Sequence, residues 1–147
     1  MSFDMAIPKA SPDGVVKIRL GCRDCREKGD RIELVFTKAI ADALGVWDRG
    51  KVEVLIGMLG DENVVRLRPG EKGYWVDRRG RATARALRMG AYHFRDRGYP
   101  MPRHEMTDCH GIKAVESSGT PCISFVLPRW CRRSPVGENA SGIGSNG

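Results

Sequence analysis

Hydrophobic and polar residues alternate along several short stretches of this chain, which is the pattern of β-strands that bury one face. Ile32, Leu34 and Phe36 take every second position in the segment from residue 31 to residue 36. The same period of two recurs in three further segments, which are residues 16–20, 52–56 and 65–69. The pattern therefore predicts a chain that is rich in short strands.

A short helix is predicted between the second and third of these strands. Thr37 stands where an N-cap residue belongs, and Ile40 and Leu44 lie four residues apart on one helical face. Gly45 follows the last apolar position, as a helix-terminating glycine does. The tripeptide Asp48-Arg49-Gly50 then indicates a turn into the next strand.

The second half of the chain has a less regular pattern. Residues 74–76 favour a short strand, residues 81–89 fit a strand or a helix, and residues 104–108 favour a weak strand. Residues 112–115 and 122–127 are typical of a hairpin around a turn that contains Ser and Gly. We expect the buried face of this hairpin to carry Ile123, Phe125 and Leu127.

The order of elements from Arg31 to Pro69 resembles the AbrB/SpoVT/MazE group of swapped-hairpin domains. The segments IELVF, TKAIADALG, KVEVLIG and VVRLRP carry the resemblance, which covers about 40 of the 147 residues. In that family two copies interlock into one small β-barrel, and many members bind DNA as transcriptional regulators or antitoxins. The resemblance implies a mainly β fold with short helices, arranged as a swapped-hairpin β-barrel.

A unit of this size cannot bury its own apolar faces, so it needs a second copy. The tripeptide at residues 48–50 recurs at residues 96–98, an offset of 48, and the two β-rich halves stop at Pro69 and Pro128. We predict a diverged tandem duplication, in which the chain is a single-chain pseudo-dimer similar to the MraZ-like tandem members of the group. The segment from Asp77 to Thr83 resembles the D-x-x-G-R strand entry of that family.

Composition divides the chain into an arm, a β-rich domain and a tail. Residues 1–14 contain proline and glycine with little periodicity, and residues 134–147 are rich in Gly, Ser and Asn. We therefore predict a flexible arm over 1–14, one β-rich domain over 15–133 and a disordered tail over 134–147. The domain consists of an AbrB-like half, residues 15–69, and a diverged second half, residues 74–133.

Positive charge is concentrated in the middle of the chain. The formal net charge is +7, and the stretch from Arg66 to Arg103 contains 11 basic and 3 acidic residues. This stretch therefore carries +8, and the remainder of the chain carries −1. Such an excess favours a polyanionic partner, and a solvated face that keeps the protein soluble is the alternative. Most of the cations are arginine, which forks onto phosphates and guanine edges.

Charge and resemblance together predict a DNA-binding transcriptional regulator that contacts duplex DNA mainly through phosphates. Alternation places Arg66 and Arg68 opposite the apolar Val65 and Leu67. The predicted binding residues are Arg66, Arg68, Arg78, Arg79, Arg81, Arg85 and Arg88. The alternative function is a protein-binding accessory module, antitoxin-like or phage-associated, that binds no DNA. A homodimer and a protein partner are further candidate assemblies.

The cysteines give a weak metal motif. Cys22 and Cys25 have the two-residue spacing of a zinc knuckle, but a closed site needs two more ligands. The candidates for these ligands are Cys109, His110, Cys122 and Cys131, and none of them forms a second pair at knuckle spacing. Five cysteines is an odd number, which favours reduced thiols over a disulfide framework. We expect neither a metal nor another cofactor.

Other features argue against further classes of function. No nucleophile motif, phosphate loop or carboxylate cluster indicates an enzyme. No apolar run approaches the ~20 residues of a membrane span, and the first residues do not form a secretory signal, so we expect a cytoplasmic protein. Trp47, Trp75 and Trp130 stand near strand ends or turns, where we expect core or rim residues rather than base-stacking platforms.

Overall fold

The computed structural model describes residues 14–21, 30–79, 84–117 and 119–133, and these residues form a mainly β structure with short helices. The prediction of a mainly β fold is therefore confirmed. The predicted arm, apart from residue 14, and the predicted tail lie outside the described residues. Cys22, Cys25 and Arg81 also lie outside them.

The first sheet is antiparallel and draws on both halves of the chain. Its strands are β1 (Val16–Leu20), β2 (Arg31–Thr37), β6 (Asp77–Arg79), β7 (Ala84–Gly90) and β8 (His104–Asp108). Their order is β6-β7-β2-β1-β8, and the central strands β2 and β7 pair so that Leu34 lies directly opposite Leu87. The segment that fitted either helix or strand is therefore strand β7, because pairing with β2 overrides a helix propensity that is weak.

The second sheet contains the other described strands. These are β3 (Lys51–Ile56), β4 (Val64–Pro69), β5 (Tyr74–Trp75), β9 (His110–Ser117) and β10 (Thr120–Val126). Their order is β5-β3-β4-β10-β9. The central pair again joins the two halves, since Val65 lies opposite Phe125 and Leu67 lies opposite Ile123. The hairpin expected in the second half of the sequence is formed by β9 and β10.

The described strands form two open sheets, not the closed barrel that the family resemblance implied. The chain crosses from the second sheet to the first at Val76 and returns at Cys109. Among the described strands, those at the sheet ends pair on one side only, so hydrogen bonding does not continue around a ring. The inner faces of both sheets instead share one apolar core, which buries Ile123, Phe125 and Leu127 as predicted.

Helix α1 (Lys38–Leu44) begins after the N-cap residue Thr37 and ends at Gly45, as the sequence predicted. Gly45 has a φ of 71°, in the left-handed region where glycine carries no penalty for a Cβ atom. The N–H of Val46 then donates to the carbonyl of Ala41 over 2.9 Å, which is the long bond of a Schellman cap.

Helix α2 (Tyr92–Arg95) in the second half ends in the same way. Gly98 has a φ of 88°, and the N–H of Tyr99 donates to the carbonyl of Phe94 over 3.0 Å. Each residue of this cap lies 53 positions after its counterpart in the first half. The strands that lead into the helices, residues 31–37 and 84–90, follow the same offset and bury the same positions.

The hairpins of the two halves, β3–β4 and β9–β10, lie side by side in the second sheet, because β4 pairs with β10. The two tripeptides that suggested an offset of 48 do not occupy equivalent places in this fold. The Asp-Arg-Gly at 96–98 caps a helix, whereas the one at 48–50 precedes β3.

One tyrosine fixes the loop between β3 and β4 against the second half. The hydroxyl of Tyr99 donates to the carbonyl of Gly57 over 2.6 Å and accepts the N–H of Asn63 over 2.9 Å. The side-chain amide of Asn63 bonds both the carbonyl and the N–H of Arg133. These bonds hold the hairpin that carries most of the candidate site.

Candidate nucleic-acid interface

The predicted arginines are divided between the two sheets. Arg66 and Arg68 lie on β4 in the second sheet, whereas Arg78 and Arg79 on β6 and Arg85 on β7 lie in the first sheet. Arg88 also belongs to β7, and Arg81 lies outside the described residues. The charged stretch of the sequence therefore does not form one surface, because the chain changes sheets at Val76.

Arg85 is a buried side chain that packs inside the fold. It is 5% exposed, and its guanidinium carbon lies 3.6 Å from the centre of the Trp47 ring. Its Nε donates to the carbonyl of Trp47 over 2.6 Å, and Nη1 donates to the carbonyl of Ala84 over 3.0 Å. We therefore assign Arg85 to the stability of the fold and remove it from the candidate interface.

Arg88 belongs to a chain of ion pairs on the outer face of the first sheet. Its Nη2 lies 3.0 Å from Oε2 of Glu33, and its Nη1 lies 3.5 Å from a carboxylate oxygen of Asp77. On the other side of Glu33, the Nε of Arg19 lies 2.7 Å from Oε1. Glu33 is 4% exposed and lies directly opposite both arginines in the strand register, so one buried carboxylate pairs with both cations.

A further pair on the same face joins the edge strand to its neighbour. The ammonium of Lys17 on β1 lies 3.9 Å from the carboxylate of Asp108 on β8. The cations that the structure describes in these pairs are Lys17, Arg19 and Arg88, and each meets at least one carboxylate. The part of this face that the ion pairs cover is therefore a poor match for a polyanion.

Asp30 holds two further arginines of the charged stretch. Arg95 donates to one of its carboxylate oxygens over 2.9 Å, and Arg103 donates to the other over 2.9 Å. The hydrogen bond from Arg95, with a further bond and positive charge from Arg103, lowers the pKa of Asp30 although burial opposes the shift. Both cations thus stabilise the junction between β2 and α2.

The outer face of the second sheet carries cations that are not neutralised in this way. Leu55, Arg66, Ser124 and Lys113 lie directly opposite one another across β3, β4, β10 and β9, so their side chains share one face. Arg66 and Lys113 are exposed and make no hydrogen bond or ion pair with any described residue. They flank Ser124, which is buried beneath them.

The same face continues toward the edge strand β5. Arg68 lies opposite Glu53 and donates to its Oε1 from Nη2 over 2.5 Å and from Nε over 3.0 Å. Two positions further along β3, Lys51 lies opposite Trp75. We name this surface the basic face, and its residues are Lys51, Glu53, Leu55, Arg66, Arg68, Trp75, Lys113 and Ser124. Within these residues four cations meet one carboxylate, a net charge of +3.

Two members of the basic face were not among the residues predicted from the sequence. Lys51 and Lys113 lie outside the charged stretch from Arg66 to Arg103. Lys113 lies between Ile112 and Ala114 in β9, and both of these residues pack against the core. Alternation along a strand therefore directs the side chain of Lys113 outward. Its position near Arg66 could not be predicted from the sequence, because it depends on the pairing of β10 with both β4 and β9.

The remaining predicted residues contribute less to the interface. Arg78 is exposed at the first sheet's edge, and Arg79 is described only by its backbone in β6. Cys22 and Cys25 lie outside the described residues. No group of three or more His, Cys, Asp or Glu residues that could hold a metal occurs within the described ranges.

The described cysteines are buried thiols. Cys109, Cys122 and Cys131 are free, and each is at most 5% exposed. Burial raises the pKa of Cys109 far above its ordinary value and raises the pKa of Cys131 to about 12. Neither thiol forms a thiolate near neutral pH, so neither is a nucleophile or a ready metal ligand.

Comparison of the chain with protein-family models, with curated proteins and with solved structures gave no match. The resemblance to the AbrB/SpoVT/MazE group stays a prediction from the sequence pattern. In the part of the chain that the structure describes, neither α1 nor α2 has the length and apolar character that crossing a membrane requires.

Proposed function

We propose that the protein is a DNA-binding transcriptional regulator of the AbrB-like type that contacts duplex DNA mainly through phosphates. The observation that carries the proposal is the pair of exposed cations Arg66 and Lys113, which flank Ser124 on the basic face and lack a carboxylate partner among the described residues. A cation that is not neutralised within the protein is available to replace a DNA counterion.

The spacing of these cations suits the charge density of DNA. β4 and β9 are separated by β10 alone, so Arg66 and Lys113 stand about 10 Å apart across two strand spacings. Over ~10 Å of its axis, B-DNA carries about six phosphate charges on its two strands. Arg68 and Lys51 lie further along the strands on the same face, and Glu53 holds Arg68 in place.

The contrast between the sheets supports the choice of surface. On the first sheet, Lys17, Arg19 and Arg88 each pair with a carboxylate, and Glu33 binds two arginines. Among the residues of the basic face, four cations stand beside one carboxylate, Glu53, which pairs with Arg68. The central pairing of β2 with β7 and of β4 with β10 is consistent with a tandem, swapped-hairpin origin, in which both halves contribute to one binding surface.

A salt titration of binding to duplex DNA tests the proposal. The logarithm of affinity should fall linearly with the logarithm of salt concentration, and the double substitution Arg66→Ala with Lys113→Ala should flatten that slope by about two. Lys17→Ala is the matched control, because Lys17 is a surface lysine already paired with Asp108 on the other sheet. Its slope should equal that of the unsubstituted protein. Absence of salt-sensitive binding at low ionic strength would refute the proposal.

The arginines at the edge of the first sheet form a second arm of the same experiment. Arg78 is exposed on β6, and Arg79 and Arg81 follow it in the sequence. If all three meet phosphates, replacing Arg78, Arg79 and Arg81 together by alanine should flatten the slope by about three. An unchanged slope would confine the interface to the basic face.

A protein-binding module is the second candidate, and one observation favours it. Met58 and Leu59 lie in the loop between β3 and β4 and are 43% and 77% exposed. Exposed apolar side chains at a hairpin tip are typical of a contact with another protein. This function replaces DNA binding if the titration shows no salt-sensitive affinity, and Met58→Ser with Leu59→Ser then tests the tip.

A further inference from the structure

A cleft lies at the end of the basic face, between the start of β3 and the edge strand β5. It has a volume of about 250 Å³ and is lined by Arg49, Gly50, Lys51, Glu71 and Trp75. The indole of Trp75 is 49% exposed there. We propose that this cleft binds an unpaired nucleobase, which stacks on Trp75 while Arg49 and Lys51 hold the adjoining phosphate.

Trp75 differs from the other tryptophans in its exposure, and from Trp130 also in its indole N–H. The ring of Trp47 lies under the guanidinium of buried Arg85, and Trp130 stacks on His104 at 4.3 Å with 4° between the planes. The indole N–H of Trp130 also donates to the hydroxyl of Thr107 over 2.7 Å. The indole N–H of Trp75, in contrast, has no hydrogen-bond partner among the described residues.

The cations at the cleft lie over the aromatic ring. The guanidinium carbon of Arg49 lies 4.6 Å from the centre of the Trp75 ring, and the ammonium of Lys51 lies 4.8 Å from it, so a base that stacks on the ring displaces these cations onto its own phosphate. Lys51 is further oriented by a hydrogen bond of 3.4 Å to the carbonyl of Glu71. The plane of a guanidinium and the face of an indole both stack on nucleobases, and both cations can pair with phosphate oxygens.

The cleft also contains an acceptor for a base edge. Glu71 follows Gly70 in the turn between β4 and β5, and its exposed side chain lines the cleft. A carboxylate accepts hydrogen bonds from the exocyclic amino group of a base such as cytosine. An aromatic face, two cations and one carboxylate within one small cleft match the parts of a nucleotide.

The cleft is continuous with the basic face. Lys51 belongs to both, and the sheet order from β9 to β5 spans four strand spacings, or about 19 Å. The inference rests on the proposed function in one respect, since the phosphates beside the stacked base would follow the basic face. The stacking itself does not require that surface, so the two can be tested separately.

The affinities of three ligands separate the contribution of base stacking from that of phosphate charge. They are a single-stranded hexathymidylate, an abasic hexamer with the same phosphates, and a blunt duplex. Trp75→Ala should weaken hexathymidylate binding about 5- to 150-fold, the range measured for loss of one base–aromatic stack, and should weaken binding of the abasic hexamer and of the duplex much less, because these two ligands meet the cations beside the ring and not the ring face. Trp75→Phe should restore part of the loss, because phenylalanine keeps an aromatic face.

Tyr92→Ala is the matched control, because Tyr92 is an exposed aromatic residue, 57% exposed, that does not line the cleft. It should bind all three ligands like the unsubstituted protein. Equal affinity for hexathymidylate and the abasic hexamer, or an equal loss on all three ligands in Trp75→Ala, would overturn the cleft proposal. Duplex binding that still depends on Arg66 and Lys113 would leave the proposed function standing in that case. Base-dependent hexamer binding without duplex binding would instead support the cleft and refute the regulator.

Discussion

Gly45 and Gly98 lie 53 positions apart in the chain and end their helices in the same backbone conformation. Both have a positive φ, 71° and 88°, and each is followed by a residue whose N–H reaches back to the last turn of its helix. The bonds are Val46 to Ala41 and Tyr99 to Phe94, so the residues after the two glycines enter the core from equivalent places.

Replacing Gly45 by alanine should lower the free energy of unfolding by about 1 kcal/mol. A Cβ atom at Gly45 meets no atom within 4 Å, so the cost is the left-handed backbone alone. Gly98→Ala should cost at least as much, because its Cβ would also lie 3.3 Å from Arg133. Urea unfolding measures both. Gly21→Ala, at a glycine with free space and no positive φ, is the control and should be close to neutral.

Arg85→Met should destabilise the protein by about 2–4 kcal/mol, because it removes the buried stack on Trp47 and the bond to the Trp47 carbonyl. Arg66 carries the same charge but is exposed, so Arg66→Ala should change the free energy of unfolding by less than ~1 kcal/mol. Thermal and urea unfolding of both variants make the comparison. A stable Arg85→Met variant with weakened DNA binding would return Arg85 to the interface.

Glu33→Gln should lower stability by about 1–3 kcal/mol while keeping the shape of the side chain. The amide cannot accept two charge-assisted bonds from Arg19 and Arg88 as the buried carboxylate does. Asp108→Asn removes an exposed pair with Lys17 and should cost less than ~1 kcal/mol. Equal effects of the two substitutions in urea unfolding would contradict the assignment of Glu33 as the centre of the ion-pair chain.

The contribution of Asp30 to stability should be present at neutral pH and lost in acid. Its pKa is lowered in the folded protein, chiefly by the hydrogen bond from Arg95, so the unfolded chain binds the proton more readily. The stabilisation therefore exists above the unfolded pKa of about 3.9 and disappears as pH falls through the lower folded value. Asp30→Asn should be less stable than the unsubstituted protein at pH 6, and the difference should shrink below pH ~4. Urea unfolding of both proteins across this pH range measures the difference, and a difference that does not shrink in acid would contradict the role of the Asp30 carboxylate.

The thiols of Cys109 and Cys131 should resist alkylation in the folded protein at pH 8. Both are buried, and burial raises the pKa of each, so the reactive thiolate is scarce. Mass spectrometry after iodoacetamide treatment should find both unmodified without denaturant and modified in urea. Rapid modification of either residue in the folded state would show that its side chain reaches solvent.

The candidate site could be predicted in part. Arg66 was readable from sequence, because Val65 and Leu67 on either side of it are apolar and must face the core. Arg85 was predicted to bind DNA because a basic residue within a basic stretch is expected to be exposed. Only the tertiary structure places the Trp47 ring against its guanidinium. Lys113 was not predicted, because its place on the basic face depends on Arg66, which lies two strands away and 47 positions earlier in the chain.

The sequence by itself determined the local elements, because they depend on interactions between near neighbours. Alternation specified β1 to β4 and the β9–β10 hairpin, and Gly45 specified the end of α1. The tertiary structure alone decided that β7 is a strand and that the described sheets stay open. It also decided which cations are neutralised and which remain free. These outcomes depend on strand pairing between distant segments, and no short stretch of sequence records which residue a strand will meet.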